Sequence, residues 1–296
     1  MRTPTHARYR NLAHLFALTS ATALLLTACG SGGSSGTGAQ GVAAANDKIP
    51  TTDVISAIRK DDAAARLLPS GTTGLTVAVT VGGTPPGTAY LPDSKTLTGQ
   101  DVDFTKAVAK VLGIRLKIEQ ASFEAILPAL DSGKYDFGAA NFGVTDERRK
   151  TIDFVTHIND GQGFATRADS KLSKITDLRQ LCGLNVATAA GTTFEATLED
   201  NKKVCTDAGE KAYTVQTYGE QSAIWSSVQQ GLKFLNEYHR LDVGFAFKKG
   251  TELAPAFQSA VNRLIADGTY TKILKKWGTT ASAIPKSQIS PPELKN

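Results

Sequence analysis

The sequence predicts an α/β protein of two lobes in series, each a mainly parallel sheet with flanking helices. Three observations carry this. Strand-like and helix-like runs alternate from Leu75 onward, the alternation starts again after Arg167, and a Gly/Ser-rich stretch separates this patterned body from an apolar N-terminal run. Strands that take turns with helices favour parallel sheets covered on both faces.

The N-terminal run Leu12–Ala28 follows Arg2, Arg8 and Arg10, with no acidic residue before Cys29. A bilayer-spanning helix takes about 20 apolar residues, so this shorter run reads as a secretory signal peptide over residues 1–28. Its end, Leu26-Thr27-Ala28-Cys29, resembles the lipobox of bacterial lipoproteins. That resemblance implies cleavage before Cys29 and a diacylglycerol on its sulfur; an ordinary signal peptide with an incidental cysteine is the alternative. Residues 29–47, rich in Gly, Ser and Ala, then form a lipidated flexible tether. The GxGxxG match at Gly36–Gly41 has no strand before it and no helix directly after it, so nothing there would cradle a pyrophosphate.

In the body, "LTVAVTV" reads as a buried strand, and "DVDFTKAVAKVLG" spaces Val102, Phe104, Val108 and Val111 as a helix closed by Gly113. "IRLKIEQ" alternates as a strand, "FEAILPALDSG" reads as a helix and "YDFGAANFG" as a strand. A second round follows: helix "ITDLRQL", strand "LNVATAA", helix "FEATLEDNKKV", strand "AYTVQTY", helix "EQSAIWSSVQQ" and strand "LKFLNEY". Two helices close the chain, with Leu253, Phe257, Val261 and Leu264 on one stripe and Tyr270, Ile273, Leu274 and Trp277 on the next. Open sheets of this kind take ligands beyond the carboxyl ends of their strands.

Losing the three signal arginines lowers the formal charge from +5 to +2, and no Lys/Arg cluster interleaves with aromatics, so nucleic acid is not an expected partner. Apart from Cys29 the cysteines are Cys182 and Cys205. An even pair in an exported chain reads as a disulfide more readily than as a metal site, two buried thiols being the alternative. With only His157 and His239 beyond the signal, neither a metal nor a cofactor is expected. No GxSxG motif or P-loop is present, so the chain is not expected to be an enzyme.

Four stretches in order, "GQDVDFTKAVAKVLG", "SFEAILPALDSGKYDFGAANFGVTDERRKTIDF", "VATAAGTTFEATLE" and "LIADGTYTKILKKWG", resemble the polar amino-acid-binding (family 3) solute-binding proteins of ABC importers, over about residues 61–284. The lipobox and the cysteine pair are similar to the actinobacterial lipoprotein branch. The resemblance implies a type II periplasmic-binding-protein-like clamshell, with lobe one at 48–157 and 242–296 (C-terminal tail included) and a shortened lobe two at 158–241. A ligand touching both lobes would stabilise the closed form. It further implies a monomer anchored through Cys29 to the extracytoplasmic face of the cell membrane, passing an amino acid or similar small carboxylate to ABC permease subunits.

Carried over residue by residue, Arg148 grips the ligand carboxylate, because its planar fork matches two oxygens. Thr192 caps the next lobe's helix in a box with Glu195, and the amide of Thr193 donates to the same anion. Asn141 and Gly143 stand where the family has hydroxyl residues, Phe123 where it keeps an aromatic, and Tyr90 is the nearest substitute for an aromatic lid. Without the resemblance, Arg148 would be a solvated helix residue, the capping box structural and Phe123 core. After "SSVQQG" the chain lacks the strand and aspartate that pair with the ligand ammonium, leaving Glu220 or Asp242 as stand-ins. A non-transport sensor or degenerate binding paralogue, and a dehydratase-type clamshell enzyme, are the alternative readings.

Overall fold

The computed structural model describes residues 49–82, 86–219, 223–224 and 231–295. The signal peptide, Cys29, the tether, Glu220 and most of the helix expected over "EQSAIWSSVQQ" lie outside the described residues.

The first apolar run forms β1 (Gly74–Val79), and a short antiparallel hairpin, β2 (Ala89–Tyr90) and β3 (Leu97–Thr98), follows it. β4 (Arg115–Gln120) and β5 (Phe137–Gly143) both lie parallel to β1, with Val77 opposite Ile118 on one side and Phe137 on the other. β6 (Ile152–Arg167) is a single long strand that leaves this sheet. β7 (Asn185–Ala189) and β8 (Thr214–Tyr218) pair in parallel, and β9 (Leu232–Lys248) returns antiparallel to β6. The main sheet runs β4-β1-β5-β9-β6. It is mixed, because a strand that carries the chain out and one that brings it back beside it must oppose each other.

Side-chain alternation along these strands decides what each face buries. Val77, Val79, Phe137, Phe245 and Phe247 point to one face, against the helices Gln100–Leu112, Ala254–Ala266 and Thr269–Trp277. Ala78, Phe142, Phe154 and Ala246 point to the other, where Ile126 and Leu130 of the helix Phe123–Asp131 cover them. Each fully buried Val or Phe contributes roughly 1.5–3 kcal/mol. The helix Gln100–Leu112 stops at Gly113, whose left-handed φ of 68° a side chain would resist. The C-terminal tail is held to β6, where the amide of Thr156 donates to the carbonyl of Gln288.

A second, smaller cluster gathers Ile175, Leu178, Leu181, Leu198, Cys205 and Tyr213 against Phe164, Leu235 and Tyr238 of the outgoing ribbon. The run "ITDLRQL" forms a 3-10 turn over Leu178–Leu181 instead of an α-helix, since the disulfide-bonded Cys182 and left-handed Gly183 (φ 74°) turn the chain at once. Cys182 and Cys205 form the expected disulfide, with Cα atoms 5.6 Å apart and a sequence separation of 23. Closing a loop of this size stabilises by about 3 kcal/mol in the chain-entropy model. Replacing both cysteines with serine is therefore expected to cost about that much in urea unfolding. A cost near zero would mean that this small cluster holds without the crosslink.

Among the described residues, β7 and β8 bond to each other and to neither β6 nor β9. Between β6 and β7 lies a cavity of 650 Å³ lined by Phe164, Val186, Leu198, Tyr218 and Phe234. No helix among the described residues is long and apolar enough to cross a membrane.

Candidate functional site

The carboxyl end of β5, the start of the helix Thr193–Asp200 and the crossing of β6 converge on a cavity of 240 Å³. It is smaller than the apolar cavity beside β7, yet it is where charged and polar side chains meet, which is what a site for a small polar solute requires.

Arg148 sits in a short 3-10 turn started by Thr145, whose hydroxyl accepts the Arg148 amide at 3.1 Å. Its guanidinium spans the cleft. Nη1 donates to the carbonyl of Gly143 and Nη2 to that of Gly191, both at 2.9 Å. The ring of Phe123 lies 5.8 Å from its Cζ, in cation–π range, and Phe123 in turn packs on Phe142 at 4.9 Å. No carboxylate pairs with this cation among the described residues. Burial alone pulls its pKa down to about 10, so its surroundings disfavour the charged form relative to water. A partly desolvated guanidinium with no ion pair among the described residues favours an anionic ligand.

From the opposite side, Thr192 caps its helix by accepting the Glu195 amide at 3.2 Å. The reciprocal half of the expected capping box is displaced: Glu195 accepts from the amide of Gly191 at 2.7 Å, because left-handed Gly191 (φ 72°) turns its N–H that way. The first amides of an α-helix have no intrahelical acceptor, so Thr193 presents a donor and the positive end of the helix to the cavity.

Of the residues expected from sequence, Arg148, Thr192, Thr193, Gly143, Asn141 and Phe123 line one cavity. Tyr90 does not: it lies on the small hairpin, with its hydroxyl donating to Gln120 at 2.9 Å. Gly143 was expected to offer an amide, and its carbonyl is also in use as the acceptor for Arg148. Asn141 holds a left-handed backbone (φ 55°), which Asn tolerates better than most residues, and its side-chain amide donates to Asp160 at 3.4 Å. The proposed stand-in Asp242 accepts from Asn159 at 3.0 Å and does not line the cavity.

Sequence reasoning missed Asp101, Asp160, Thr88 and Gln162, all of which line the cavity. Asp101 stands in the first turn of a helix, where an acidic residue is favourable without any ligand. Asp160 lies midway along β6, opposite Leu241 of β9.

Gly143 is one point where the two sides approach closely. A Cβ there would lie 2.9 Å from Leu241 Cδ1 and 3.3 Å from Thr193 Cγ2. Gly143→Ala is expected to cost about 1–3 kcal/mol of closure, or roughly 5- to 150-fold in affinity, with the fold retained. Titration showing less than a threefold loss would mean that the gap has slack.

The model of the bacterial extracellular solute-binding proteins, family 3, matches residues 75–280. The arginine-binding protein ArgT of Corynebacterium glutamicum is 26% identical, covering 66% of this chain and 71% of its own. The L-cystine-binding protein TcyJ of Escherichia coli is 26% identical, covering 68% of this chain and 82% of its own. Among solved structures, an ancestral arginine-binding protein bound to arginine superposes with a TM-score of 0.60 at 28% identity, covering 69% of this chain and 97% of that one.

Proposed function

We propose, from the premise that this chain belongs to the bacterial extracellular solute-binding proteins, family 3, that it is a lipid-anchored receptor that captures an amino acid or similar small carboxylate for an ABC importer. The observation that carries the reading is the half-buried Arg148, which has no ion pair among the described residues and is bonded to Gly143 on one side of the cleft and Gly191 on the other. A carboxylate arriving there restores the lost charge partner and touches both sides, which is the differential contact that closure needs. Relatives named for arginine, cystine and glutamine share the family, so membership leaves the ligand open.

On this reading lobe one comprises residues 48–157 and 242–296, and lobe two residues 158–241. The division of the buried apolar residues supports the split. A shortened lobe two is supported by the unfilled space between β6 and β7. It is also supported by alignment length: the match to ArgT runs over 218 positions while using 66% of a 296-residue chain, about 195 residues. That same space is the observation that favours a second reading, a paralogue that keeps the fold without transport.

A thermal-shift panel of amino acids, small carboxylates and amines separates the two. A specific ligand at a thousand times its Kd adds about 4 kcal/mol of stability. A panel with no response would favour the second reading. The anchor has its own test. Cys29→Ala is expected to move the protein from the membrane fraction into the medium, since a two-chain lipid holds where one chain holds only marginally; retention in the membrane would remove the lipid from the account.

A further inference from the structure

The charges lining the cleft do not balance. Asp101 and Asp160 face the same cavity as Arg148, so it holds two carboxylates and one guanidinium. Asp101 is 7% exposed and has no hydrogen bond among the described residues; His157 Nε2, itself without a hydrogen bond, lies 3.5 Å from it. Its place in the first turn of the helix Gln100–Leu112 suits a carboxylate electrostatically but does not account for its access to the cavity. Beside it, Thr88 is 3% exposed, lines the same cavity and has an unpartnered hydroxyl. The two belong to one end of the site, because Gly99, two residues before Asp101, packs against the Gly87–Thr88 backbone, 2.8 Å from where its Cβ would be.

Asp160 belongs to the other end. It takes the side-chain amide of Asn141, two residues from the Gly143 carbonyl that receives Arg148. Its remaining contacts are the Gly161 amide at 2.9 Å and the Ser282 hydroxyl at 3.4 Å.

An amino acid with a neutral side chain brings one carboxylate and one ammonium, which leaves Asp101 buried with no neighbour beyond the His157 ring, and a buried charge without a hydrogen-bonded partner is costly. We propose that the cleft selects a small α-amino acid carrying a second cation on its side chain. Its carboxylate meets Arg148 and Thr193, its α-ammonium meets Asp160, and its distal cation meets Asp101 and Thr88. This assignment rests on the amino-acid-binding reading and supplies, from β6 at the start of lobe two, the ammonium partner that the missing strand would have carried.

Isothermal titration of the purified protein with L-arginine and L-citrulline tests it, since the two share a shape and differ in charge; L-ornithine against L-glutamine repeats the comparison at shorter length. The cationic member of each pair is expected to bind about 10- to 100-fold more tightly. Asp101→Asn is expected to bring that ratio near one, whereas Asp160→Asn weakens both members alike and preserves it. Equal affinities in the wild-type protein overturn the proposal and leave the amino-acid-binding reading standing. A preference that survives Asp101→Asn overturns the assignment of that residue. Binding of none of the four overturns the proposal together with the reading beneath it. The wild-type ratio decides even if a variant fails to fold.

Discussion

Replacing Arg148 with methionine is expected to weaken binding of the tightest amino-acid ligand by on the order of 30- to several-thousand-fold, the range for truncating one member of a buried, hydrogen-bonded charge pair. Methionine keeps much of the apolar stem that packs near Phe123 and removes the fork. The ligand carboxylate then enters a desolvated cleft with only helix-start amides to meet it. The fold itself should hold. The guanidinium is charged against the preference that burial imposes, which offsets part of what its bonds to Gly143 and Gly191 contribute. Titration calorimetry gives the affinity and denaturant unfolding the stability. A loss of less than threefold would remove Arg148 from the site, and unfolding of the variant would make it a structural clasp instead.

Asp103→Ala is expected to destabilise the protein by about 3–5 kcal/mol, the cost of leaving one member of a buried ion pair alone. Lys276 Nζ lies 2.7 Å from Asp103 Oδ2, with side chains only 9% and 7% exposed, and the Trp277 indole N–H donates to the same oxygen at 2.8 Å. The alanine variant strands an ammonium and an indole N–H in the seam between two helices of the main core. At roughly 2–4 °C per kcal/mol for a domain of this size, Tm should fall by about 6–20 °C. The double variant Asp103→Leu with Lys276→Met should recover most of that loss, because removing both charges removes the desolvation penalty along with the attraction. If the single variant unfolds at the wild-type urea concentration, the seam is wet and the pair is worth no more than a surface one.

Where sequence and structure diverge, the cause is distance along the chain. The capping box shows it on a small scale. Thr192 and Glu195 are three residues apart and Thr192 caps as expected, but the partner of Glu195 moved to Gly191, because the φ of that glycine and its approach to Glu124 were set by packing across the cleft. Tyr90 shows it on a larger scale. An aromatic near the right place in the sequence was paired off by Gln120, thirty residues away, and left the site.

The sequence by itself determined the periodic elements of the main body, the αL stop at Gly113, the disulfide partners and, through a family resemblance, an arginine that lines the cleft. These depend on contacts within a few residues, on parity of cysteines, or on a motif whose chemistry is local. Only the tertiary structure decided that β6 and β9 are one continuous ribbon, that β7 and β8 bond to neither, and that Asp101 and Asp160 share a cavity with Arg148. Charge balance in a buried site is a property of three dimensions. Carboxylates 59 residues apart neutralise or burden one ligand only after folding has excluded water and raised the cost of leaving either unpaired.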